Sequence, residues 1–148
     1  MVLEKSKMRL LNTQKHLRKF LQGAGTDQSN HTIHEILSMD NKWWNSNHCF
    51  IQWVFPTGKR SRYNLFAPAV KSQISAPFME ESYQRFKTFL QNTEWQFPEN
   101  HNCRRISRVL ASLHLFGYRD LEEDFREYLR KTIIKYPGLE NVRKYWNL

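Results

Sequence analysis

The stretch Asn45–Pro56, NSNHCFIQWVFP, decides how this chain is read. With the residues just before it, it reads as one helix from about Asp40 to Phe55. Trp43, Trp44, Phe50, Ile51, Trp53, Val54 and Phe55 cover most of its circumference, and a helix apolar almost all round is central and buried. Pro56 removes a backbone donor and biases Phe55 away from helical angles, so the helix stops there. The polar groups fall on one strip: Asn41, Asn45, His48 and Gln52. A buried amide or imidazole left unpaired costs about 1–3 kcal/mol, so the strip is expected to face other polar groups. The natural suppliers are Asn100–Cys103, NHNC, and Arg105. Two readings stay open. The strip is a pocket wall with His48 as acid/base or ligand contact, or it is a satisfied buried network.

Outward from this stretch, hydrophobic spacing predicts helix almost everywhere. A first helix over about 3–22 places Leu10, Leu17, Phe20 and Leu21 on one face and Lys5, Lys7, Lys15, Arg18 and Lys19 on the other. It ends at the glycines of GAG, 23–25. Such a helix either packs with a solvated basic face or lies on a membrane surface. A short second helix is capped by Ser29 or Asn30. Residues 56–77 hold three of the five prolines and no helical period, which predicts a long ordered loop. A fourth helix follows from Phe78, and a fifth from Asn100 or Asn102 to Gly117. A sixth is capped by Asp120 and ended by Pro137-Gly138, and a short last helix closes the chain. The expectation is a single all-α domain over 1–148, a compact bundle of about six or seven helices.

The 148 residues are enough for one domain, and 40% hydrophobic with 14% aromatic content supplies a core. There is no run of 18 apolar residues to span a membrane. The charged N-terminus lacks a signal-like apolar run, so the chain is expected to be cytoplasmic, or nuclear in a eukaryote, with Cys49 and Cys103 as free thiols. The net charge of +9 suits either solubility or an acidic partner.

Several chemistries lack their motifs. His31/His34 is the one close pair of metal-type ligands, and His101-x-Cys103 has poor geometry, so no metal and no cofactor are expected. No nucleophile elbow, phosphate loop or carboxylate pair stands out. Cys49 follows His48 directly, but neighbours on a helix diverge by about 100° and form no dyad. A thiol in so apolar a segment is expected to be buried and inert. A nucleic-acid face is an alternative, built from Arg104 and Arg108 with Lys59, Arg60 and Arg62. Against it, Glu122 precedes Arg126 by four and Glu127 precedes Lys131 by four, the pattern of a solvated salt-bridged face.

HCFIQWVFP (48–56) followed by SRYNLFAPAV (61–70), and HNCRRISRVLASLHLFG (101–117) with Trp95 upstream, resemble the two hallmark segments of the opioid growth factor receptor conserved region. The resemblance spans about 20–145 in the family's order. It implies a compact helical domain and points to His48, Gln52, Trp53, Pro56, Ser61, Asn64, Ala67, Pro68, His101, Asn102, Arg105, Ile106 and Arg108. Arg104 stands where the family usually has an apolar residue, and Cys49 where small members often have an acid. The stretch between Phe89 and Trp95 is shorter than usual. Large animal members are receptors for an opioid peptide; the short, domain-only form here resembles the bacterial branch.

The resulting expectation is a binding module, not an enzyme, with a pocket lined by His48, Gln52, His101, Asn102, Arg105 and Arg108. Such a set suits a carboxylate or phosphate on a small molecule, peptide or protein. An enzyme using His48 or His101 as acid/base is the remaining alternative.

Overall fold

A computed structural model describes residues 15–57 and 74–148. Lys59, Arg60, Arg62 and most of the expected loop lie outside the described residues. Among those described, every regular element is helical: α1 (15–21), α2 (Ile33–Ser38), α3 (Asn41–Ser46), α4 (Ile51–Val54), α5 (Met79–Gln91), α6 (Asn102–Leu115) and α7 (Arg119–Lys135). A 3-10 segment, Pro137–Trp146, follows directly. The all-α expectation holds. With the 3-10 segment, the described residues form eight helices, one more than the upper expectation, because the predicted third helix is two, α3 and α4.

α1 buries Leu17, Phe20 and Leu21 and exposes Lys15, Arg18 and Lys19. Its apolar stripe is spent on the core, so over 15–21 the packed reading holds and not the membrane-surface one. Gly23 ends it at φ +80, where the Ala24 N–H reaches back to the Lys19 carbonyl at 2.9 Å. α2 is capped by Thr32, not by Ser29 or Asn30. The Thr32 hydroxyl accepts from the Glu35 N–H and the Glu35 carboxylate accepts from the Thr32 N–H. Asn30 takes φ +64, which an N-cap cannot use.

α5, α6 and α7 supply most of the core. α7 packs on α5, on α6 and on the 3-10 segment. Phe86 sits among Phe55, Phe89 and Phe125, with ring centroids 5.8–6.0 Å away. Buried indoles keep their N–H groups bonded: Trp44 to the Ile36 carbonyl, Trp95 to Leu90 and Trp146 to Cys103. α7 begins at Arg119 with no side-chain cap, so Asp120 is not its cap. The helix is instead fixed from outside, where the Tyr118 hydroxyl donates to the Ala76 carbonyl at 2.7 Å.

Glu122 and Arg126 are not the solvated pair expected. Their side chains are 12% and 16% exposed, and they meet at 2.8 Å. His114 reaches the other Glu122 oxygen at 3.2 Å. Arg126 also donates to the Trp146 carbonyl, which ties the chain's last turn to α7. No helix among the described residues is long and apolar enough to cross a membrane.

Candidate functional site

The predicted long helix breaks at 47–49 because an arginine from α6 takes the carbonyls it would need. A continuous helix would give the Trp44 carbonyl to the His48 N–H and the Asn47 carbonyl to the Ile51 N–H. Arg105 claims both. Its Nη1 donates to the Trp44 carbonyl at 2.6 Å and its Nη2 to the Asn47 carbonyl. Asn47 is extended, with φ −98 and ψ 138. The guanidinium also lies 5.5 Å from the Phe50 ring centroid and 3.4 Å from His48 Nδ1. Burial pulls its pKa down to about 10, which still leaves a full cation at neutral pH. The negative end of α3's dipole offsets part of that buried charge.

Arg108 repeats the pattern one turn on. Its Nη1 lies 3.4 Å from the Phe55 carbonyl at the end of α4. Arg104, the third arginine of α6, stands exposed. Two of the three arginines read as ligand-facing thus turn inward onto the ends of short helices.

Part of the expected strip meets α6. Asn102, fully buried, donates from Nδ2 to Asn45 Oδ1 at 3.2 Å. His48 and His101 stand edge to face with centroids 5.4 Å apart. Asn41 and Gln52 do not join them: Asn41 stays in α3 one turn before Asn45, and for Gln52 the break ends the helical register that would align it. Asn41 lines a groove with Asp40, Glu81 and Arg85. Gln52 donates to Gln28 Oε1 at 3.2 Å.

His48 is exposed and His101 half-buried. Burial lowers the His101 pKa, and nearby Arg105 and His48 lower it further; a hydrogen bond to the Asn45 backbone acts the other way. His101 Nε2 is buried with no partner. A base whose folded pKa is depressed contributes stability above its unfolded value, here 6.5, and loses it as pH falls below that. The urea midpoint is therefore expected to drop between pH 7 and pH 5, and to drop less in His101→Gln. Equal slopes in the two proteins would refute this assignment. Glu122 and Asp124, both held below the ordinary carboxylate range, act only at lower pH.

Both thiols are free, but Cys49 is not buried as expected. Cys49 is exposed, since the break turns it outward. Cys103 is buried, its pKa pushed up to about 11, with Sγ 3.5 Å from the Phe97 carbonyl. No group of three or more His, Cys, Asp or Glu side chains among the described residues is placed to hold a metal ion.

Sequence reasoning missed Gln28, which bonds both Gln52 and Trp53. Its one local signal was Asp27, an Asx-turn residue that shapes the loop carrying it. No family model, no curated protein and no solved structure matches this chain.

Proposed function

We propose that the chain is a binding module, similar to the opioid growth factor receptor conserved region, that acts inside the cell and receives a carboxylate-bearing peptide. The observation supporting this is what the fold leaves over at the junction of α3, α4 and α6. Arg105 and Asn102 are consumed by internal bonds. His48 and Cys49 remain exposed above them, and Arg104 is exposed on the next turn of α6. These groups supply imidazole and guanidinium donors on one rim, the chemistry that recognises carboxylates. In this reading Arg105 and Arg108 position the rim and do not touch the ligand. A nucleic-acid face loses support by the same geometry, because Arg108 reaches the Phe55 carbonyl.

The test is fluorescence anisotropy with a labelled tetraglutamate peptide against a tetraserine control. His48→Ala combined with Arg104→Ala is expected to fold as the parent and to bind the acidic peptide about tenfold more weakly. Unchanged affinity in that folded variant, or equal binding of the two peptides by the parent, would remove the proposal.

A further inference from the structure

Gln52 and Trp53 sit on α4, 4% and 6% exposed, and both donate to the same atom. Gln52 Nε2 and Trp53 Nε1 each lie 3.2 Å from Gln28 Oε1. An indole N–H can only donate, so the Gln28 atom it meets is the oxygen. The Gln52 atom facing that oxygen must then be its nitrogen. The orientation of both amides is thereby fixed, and Gln52 Oε1 is left buried with no partner.

The supplier of this contact is an exposed side chain at the surface. Gln28 is carried on a tight loop, in which the buried Asp27 carboxylate accepts from the Ser29 and His31 N–H groups at 2.9 Å each. Tethered there, the Gln28 amide makes half of a cyclic amide pair. Its oxygen accepts, but its own N–H₂ does not return a bond to Gln52 Oε1. Trp53 is held in place from behind by Phe20, edge to face at 5.5 Å.

We infer that Gln52 and Trp53 form a receptor for a primary carboxamide, which Gln28 occupies as an internal stand-in. A free primary carboxamide carries an acceptor oxygen beside a syn N–H. Its oxygen would take the Gln52 and Trp53 donors, and its N–H would donate to Gln52 Oε1, one bond more than Gln28 makes. A secondary trans amide has its N–H on the wrong side and cannot close the pair. The ligand class is therefore an Asn or Gln side chain or an amidated terminus. This inference goes beyond the carboxylate rim, since Gln52 shares no hydrogen bond with His48, His101 or Arg105 among the described residues.

The experiment follows the Trp53 indole N–H resonance in the full chain, assigned with Trp53→Phe, during titration with propionamide or N-methylpropionamide. In Gln28→Ala, propionamide is expected to shift it saturably, and N-methylpropionamide about tenfold less effectively, the worth of one hydrogen bond. The parent should need about tenfold more propionamide, because Gln28 competes. Gln52→Leu should lose the response. No saturable shift in folded Gln28→Ala, or equal responses to the two amides, overturns the inference. Should Gln28→Ala fail to fold, Gln28→Ser takes its place. Should that fail too, the parent's preference between the two amides decides.

Discussion

Arg105→Ala is expected to lower folding stability by about 3–5 kcal/mol, the largest effect of any polar substitution in the described residues. The loss comes from the groups left behind. The Trp44 carbonyl lies in a buried junction and the Asn47 carbonyl in a partly buried one, and an orphaned buried acceptor costs about 1–3 kcal/mol. The cavity left under Phe50 adds to this. Arg105→Lys should fall nearly as far, because an ammonium cannot present two parallel donors to carbonyls three residues apart. Urea unfolding measures both, and Arg104→Ala, a change at an exposed side chain, serves as the reference. A drop below about 1 kcal/mol in Arg105→Ala would show that these carbonyls find other partners and that the arginine is not a cap.

Trp146→Ala is expected to cost about 3–5 kcal/mol, although it lies two residues from the last described position. Its ring is 1% exposed and packs edge to face on Trp95 at 6.3 Å. Its indole donates to the Cys103 carbonyl at 3.4 Å, joining the 3-10 segment to the first turn of α6. Its own carbonyl accepts from Arg126, whose other nitrogen holds Glu122. Trp146→Phe keeps most of the packing and should recover about half of the loss. Thermal unfolding that leaves Trp146→Ala within 2 °C of the parent would mean that the closing segment is an appendage and not part of the core.

Much of the fold is legible in the sequence where apolar spacing is long and regular. α5, α6 and α7 run 13, 14 and 17 residues, and their buried stripes of Tyr83, Phe86, Leu90, then Ile106, Val109, Leu113, then Phe125 and Leu129 follow the period that predicts them. The broken third helix is not legible in the apolar spacing, and the local bonds at its end, from Ser46 to the Lys42 carbonyl and from Asn47 to the Trp43 carbonyl, mark a stop that Arg105 fixes. Residues 41–55 keep their helical pattern throughout; the interruption is fixed by a side chain 58 positions later. The same distance explains the site. Asn45, His48, Asn102 and Arg105 belong together because buried amides need partners, and that need can be read from residue types. Which donors would be spent inside the fold depends on the Trp44, Asn47 and Phe55 carbonyls, and backbone groups carry no residue-type signature. Cys49 was misplaced for the same reason, since its burial was inferred from a helix that ends before it. Gln28 escaped notice as a polar residue in a polar loop.

α3 and α4 have six and four residues, far short of the dozen or so at which a helix becomes even marginal by itself. Their order depends on a guanidinium that the ribosome adds 58–61 residues after the carbonyls it binds. At about 5–20 residues per second, that is a delay of about 3–12 s. During it, Trp43, Trp44, Phe50, Ile51 and Trp53 have been made but not enclosed. This strongly apolar stretch therefore waits for a lock supplied by α6, and it is open to misassociation while α6 is still being synthesised.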